Sequence, residues 1–121
     1  MNKKRILVFV DFDTTRNFIT KGLVQQNYQV LESKTLGDAK ETLKNSGVEL
    51  IIVDGDNRYD ATTSLLQYVR NLPMFTYTPI IMLVTGNQEK YLPVKEEYKI
   101  AGLLTKPYDV REFYKAVERL C

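Results

Sequence analysis

Short apolar runs recur along the chain: Arg5-Ile6-Leu7-Val8-Phe9-Val10, Tyr28-Gln29-Val30-Leu31, Glu49-Leu50-Ile51-Ile52-Val53, Ile80-Ile81-Met82-Leu83-Val84 and Leu103-Leu104. Each reads as a buried strand, and the longer stretches between them carry apolar residues at helical spacing. Phe18, Ile19, Gly22 and Leu23 share one face of a helix from about Thr14 to Gln26. Leu36, Ala39 and Leu43 stripe a second helix that Asn45-Ser46-Gly47 is placed to cap, and Leu65, Leu66 and Val69 stripe a third that Pro73 bounds. In the fourth, Pro93 interrupts Gln88–Leu92 and a mostly charged remainder follows. An interior proline costs about 3 kcal/mol, so this helix is expected to be short, broken or mobile. Asp109 with Glu112 forms a capping box for the fifth, whose Phe113, Val117 and Leu120 face the core.

Alternating strands and helices predict an α/β domain with a parallel sheet. Right-handed crossovers and helices on both faces leave few topologies, and the common one for five βα units is the flavodoxin-like (βα)5 order 2-1-3-4-5. Its ligand crevice lies beyond the carboxyl ends of strands one and three. Asp11 and Asp54 end those two runs, while Thr85 and Lys106 follow the fourth and fifth. Any one of them alone would pass for a solvated strand-end or capping group. Together, carboxylates, a hydroxyl and an ammonium converging at one sheet edge point to phosphoryl chemistry.

Composition narrows the picture. The 121 residues fit one domain, 1–121, with 44% hydrophobic and 26% charged residues, an ordinary globular balance. A net charge of +2 gives no electrostatic reason to expect a nucleic-acid or membrane partner. The tyrosines Tyr91, Tyr98, Tyr108 and Tyr114 have no basic stripe beside them and read as packing residues. Cys121 is the only cysteine, so no internal disulfide forms and a cytoplasmic, reducing compartment is expected. No histidine is present, which removes the usual base of hydrolase triads. Met1-Asn2-Lys3-Lys4-Arg5 resembles the start of a signal segment, but the apolar run behind it stops at Asp11, too short to direct secretion or span a bilayer.

Taken in order and spacing, Ile6–Asp11, Leu50–Asp54, Ile80–Gly86 and Leu104-Thr105-Lys106-Pro107-Tyr108 resemble the receiver domain of two-component response regulators, over essentially the whole chain. The resemblance implies a signalling phosphoacceptor rather than an enzyme. Asp54 would take a phosphoryl group from a histidine kinase or phosphotransfer protein, and an unknown downstream protein would read the change. Thr85 would hydrogen-bond one phosphoryl oxygen and Lys106 would pair with another, while the N–H groups of Gly55 and Gly86 approach. Lys106-Pro107 looks like the family's cis peptide. Mg²⁺ would be held by Asp11, Asp54 and the carbonyl of Asp56, and with the ammonium would absorb charge during in-line attack.

The chain departs from this pattern at particular places. Receivers usually carry two adjacent acids after strand one, but here Phe12 follows Asp11 and the next acid is Asp13. Asp13 either reaches the metal through a re-shaped loop or only caps the first helix. The loop Gly55-Asp56-Asn57-Arg58-Tyr59-Asp60-Ala61-Thr62 lacks the family's Met-Pro and Asp-Gly elements. Leu103 stands where an aromatic switch residue is common. Two readings follow: a phosphoacceptor switch, for which Asp54, Thr85 and Lys106 speak, and a pseudo-receiver that binds protein with weak or no metal-dependent phosphorylation, for which Phe12 speaks. A flavin-binding domain of the same fold would want a glycine-containing loop after strand one, which Phe12-Asp13-Thr14-Thr15 does not supply.

Overall fold

A computed structural model describes residues 3–121, so the Met1-Asn2 start of the basic segment lies outside the described residues. The apolar runs form β1 (Arg5–Phe9), β2 (Gln29–Ser33), β3 (Leu50–Asp54), β4 (Ile80–Val84) and β5 (Gly102–Thr105). Between and after them lie α1 (Asp13–Gln25), α2 (Leu36–Asn45), α3 (Ala61–Arg70), α4 (Leu92–Tyr98) and α5 (Val110–Leu120). All strand pairs are parallel, in the order β2-β1-β3-β4-β5. This is the expected doubly wound sheet, and its winding reverses between β1 and β3.

The buried apolar residues of the strands divide between two cores. Leu7, Phe9, Ile51, Val53, Met82 and Val84 pack with Ala39 and Leu43 of α2 and Leu65, Leu66 and Val69 of α3. Ile6, Val8, Leu50, Ile52, Ile81 and Leu83 pack with Ile19 and Leu23 of α1 and Phe113 and Val117 of α5. Every residue of β3 and β4 is buried. A fully buried Val, Leu or Ile side chain contributes roughly 1.5–3 kcal/mol, so these central strands anchor the fold. The register sets Phe9 beside Val53, Val53 beside Met82 and Val84 beside Thr105. The carboxyl ends of β1, β3, β4 and β5 therefore finish side by side, on a fully buried pair of central strands.

Four local expectations change. Phe18 is 58% exposed, because the buried stripe of α1 is Ile19, Gly22 and Leu23, and Phe18 sits about 100° around the helix from Ile19. The α2 helix ends with Ser46 in an extended conformation instead of a left-handed glycine at Gly47. Asp109 caps α5 by accepting from the Arg111 N–H at 2.7 Å, with no reciprocal bond from Glu112. Pro93 does not interrupt a helix: a 3-10 turn (Gln88–Tyr91) leads into α4, and Pro93 falls in its first turn, where a missing N–H removes no helical bond. The α4 helix is short, as expected.

Candidate functional site

Asp54 is the last residue of β3, and its side chain is fully buried. Lys106 follows β5 directly, and its backbone N–H is held on the Val84 carbonyl at 2.8 Å. From there its Nζ donates to both Asp54 carboxylate oxygens, at 2.8 and 3.0 Å. The Lys106-Pro107 peptide is cis, as in the expectation. The Nζ also lies 2.9 Å from Oδ2 of Asp56, and the Thr85 hydroxyl donates to that same oxygen at 2.6 Å. The backbone N–H of Asp56 donates to Asp54 Oδ1 at 2.8 Å. Below them Thr62, at the start of α3, donates its hydroxyl to the Asp54 carbonyl. Asp54, Asp56, Thr85 and Lys106 thus form one connected network at the sheet edge.

The electrostatics follow from these contacts. The Thr85 hydroxyl, and then the Lys106 ammonium, stabilise the ionised Asp56 and hold its carboxyl below the ordinary value. Burial works to lower the Lys106 pKa, but hydrogen bonds and charge from Asp54 and Asp56 outweigh it and hold the ammonium above its ordinary value. Lys106 is therefore a fixed cation shared by two carboxylates.

Asp11 lies two residues beyond β1 and is nine-tenths buried. Its Oδ2 accepts from both the backbone N–H and Nε of Arg58, at 2.9 and 3.2 Å. Asn57 completes the attachment: its side chain accepts from the Asp11 N–H at 2.9 Å and donates to the Phe9 carbonyl at 3.0 Å. The other oxygen of Asp11, Oδ1, is buried without a hydrogen-bond partner among the described residues. Asp13 is drawn elsewhere. It is the first residue of α1, with Phe12 at the N-cap position and no side-chain cap. Its exposed carboxylate pairs with Arg16 at 2.7 Å and Lys34 at 3.3 Å. The Arg16 hydrogen bond, then Lys34, lowers its pKa. Its side chain therefore does not cap α1, and its carboxylate is held by Arg16 and Lys34.

Mg²⁺ wants near-octahedral oxygen ligands at about 2.0–2.1 Å, usually one or two carboxylates with waters. As placed, these residues do not fit it. The Asp54 oxygens face Lys106, the bonded oxygen of Asp11 faces Arg58, and Asp13 faces Arg16 and Lys34. Among the described residues no three acidic side chains converge on a common point.

The two glycines serve different ends. The Gly55 N–H donates to the Leu83 carbonyl at 2.7 Å, and a Cβ there would lie 3.0 Å from that oxygen. Its N–H is thus engaged by β4, whereas Gly86 takes a left-handed φ of 82° with open space around it. Sequence reasoning missed the carboxylate of Asp56, the staple at Asn57, the guanidinium of Arg58, and Tyr91, whose hydroxyl donates to the Thr85 carbonyl at 3.4 Å. The only signal for the first three was their position in the loop that follows Asp54.

No known family model matches the sequence, and no curated protein matches it. Solved structures do match. The chemotaxis response regulator CheY4 of Vibrio cholerae superposes with a TM-score of 0.88 at 21% identity, covering 99% of this chain and 100% of that one. The non-phosphorylated HemR receiver domain of Leptospira biflexa gives 0.83 at 23% identity over 98% of this chain and 94% of that one. The signal receiver domain of a signal transduction histidine kinase from Syntrophus aciditrophicus gives 0.85 at 21% identity, over 97% and 89%. Among the described residues no helix is long and apolar enough to cross a membrane. From its strand order, its near-complete overlap with these chains and the acidic cleft at its sheet edge, the chain has the fold of response-regulator receiver domains.

Proposed function

We propose that the domain is a signalling phosphoacceptor, modified on Asp54 by a histidine kinase or phosphotransfer protein and read by a partner protein. The observation that carries this is the junction of Asp54, Lys106 and Thr85, brought from three strands to one edge, with Lys106 on both oxygens of the acceptor carboxylate. An oxygen of Asp54 attacks phosphorus in line, the new P–O bond forms as the P–N bond of a phosphohistidine breaks, and the departing imidazole takes a proton from solvent. Lys106 follows the negative charge from the carboxylate to a phosphoryl oxygen. Thr85 exchanges its bond to Asp56 for a second phosphoryl oxygen. Because Tyr91 is hydrogen-bonded to the Thr85 carbonyl, that shift reaches the turn leading into α4.

A second reading, a pseudo-receiver that binds protein without phosphorylation, is favoured by one observation: the Asp54 side chain has no solvent exposure, with Lys106 and Asp56 around it. Incubation with a small acyl-phosphate donor, followed by intact mass measurement, separates the two. The phosphoacceptor reading expects a single phosphoryl mass gain that Asp54→Asn abolishes. A gain that survives the substitution refutes the site, and no gain in the parent protein moves the assignment to the pseudo-receiver.

A further inference from the structure

The loop between β3 and α3 lays a cation on the first acid of the cleft. Arg58 contributes two N–H groups to one Asp11 oxygen, and Asn57 ties the same loop to the Phe9 carbonyl and the Asp11 N–H. The chain then reverses through Tyr59 and Asp60, both at left-handed φ, 61° and 55°. Non-glycine residues hold that conformation only where surrounding contacts over-determine it. So the position of Arg58 is built in and is not a chance surface pairing. On the neighbouring side the residue that would offer a second acid is Phe12, which is 46% exposed, and Asp13 is engaged by Arg16 and Lys34.

We propose that Arg58 replaces the divalent cation of this cleft, acting as a positioning residue that neutralises Asp11 and presents its free guanidinium edge to an incoming oxyanion, so that the domain works without metal. Its role toward a phosphoryl donor rests on the phosphoacceptor reading of Asp54; its exclusion of metal rests on geometry alone. The Arg58 side chain is 60% exposed, which leaves N–H groups accessible beyond the Nε that Asp11 uses. A planar guanidinium matches two oxyanion oxygens at once. It lines a cavity of about 240 Å³ with Asp11, Lys34, Thr35 and Tyr59. Arg58 on Oδ2 and a hydrated Mg²⁺ drawn to the unpaired Oδ1 would compete for the charge of one carboxylate. With only one acid at the β1 end to share, the covalently attached cation wins.

The test is titration with magnesium chloride at constant ionic strength, following backbone amide shifts by NMR. The parent protein should show no saturable shift at Asp11, Asp54 or Gly55 up to millimolar metal. Arg58→Gln combined with Phe12→Asp, which frees one acid and adds another, should bind with saturable shifts there and at least about tenfold higher affinity, the usual scale of a ligand-shell change. Saturable binding in the parent, or a double variant that folds with native amide dispersion yet stays blind to Mg²⁺, overturns the proposal. Phosphorylation by an acyl phosphate should proceed at the same rate in EDTA and in Mg²⁺, and a metal-dependent rate also overturns it. If no phosphorylation occurs in either, the phosphoacceptor reading fails, while the titration still decides the role of Arg58.

Discussion

One oxygen of Asp56 carries the most consequential contacts in the cleft. Thr85 and Lys106, the two groups that would bind a phosphoryl oxygen, both converge on Asp56 Oδ2 at rest. For phosphate to enter, that carboxylate has to give them up. Hydrogen bonds to charged groups are worth about 1.5–3 kcal/mol, and Asp56 is 40% exposed, so screening brings the cost of release to about 1 kcal/mol. Asp56→Asn keeps the size, weakens both contacts and removes one negative charge from the approach of an anionic donor. Phosphorylation of Asp54 by a small acyl phosphate should then run about five- to tenfold faster, measured as the initial rate of mass gain. An equal or slower rate would show that Asp56 assists the transfer instead of resisting it.

At the scale of elements, the site depends on how closely β3 and β4 approach where they end. A Cβ on Gly55 would meet the backbone oxygen of Leu83 at 3.0 Å and the Tyr91 ring at 3.7 Å. Backbone cannot swing aside as a side chain can, so Gly55→Ala should cost about 1–3 kcal/mol in urea unfolding with an unchanged denaturant slope. A loss below the scatter of such measurements would mean that the strand ends yield easily. The strands themselves could be read from the chain, because continuous apolar runs such as Ile80–Val84 carry their own burial signal, and the sheet order followed from connection rules. The placement of Asp11, Asp54, Thr85 and Lys106 at one edge was readable for the same reason. Phe18 and Pro93 show where local reading fails: a one-position shift in helical phase turns a phenylalanine outward, and a one-turn shift in a helix start makes a proline harmless. The side-chain contacts of Asp56, Asn57 and Arg58 were not readable. Their roles depend on which way a loop folds back over β1, and no periodicity encodes that.

Over the whole molecule, the cleft ties stability to pH in a way that can be worked out by sign. Asp56 and Asp13 have folded pKa values below their ordinary ones, from the Thr85 and Arg16 hydrogen bonds respectively. Each therefore contributes stability that is present above the unfolded carboxyl pKa, near 4, and is lost as pH falls through the lower folded value. Lys106, raised by its carboxylates against burial, and Tyr108, raised by burial, contribute in the opposite direction. Their stability is present below an unfolded pKa near 10 and is lost as pH rises through the higher folded values. Urea unfolding free energy should therefore form a plateau from about pH 5 to 9 that falls away on both sides. The acid limb discriminates between sources. Asp56→Asn and Asp13→Asn should each flatten the decline below about pH 4, and combining them should flatten it additively, since one carboxylate belongs to the Lys106 network and the other to Arg16 and Lys34. An acid limb as steep in the double variant as in the parent would place the titrating groups elsewhere in the fold.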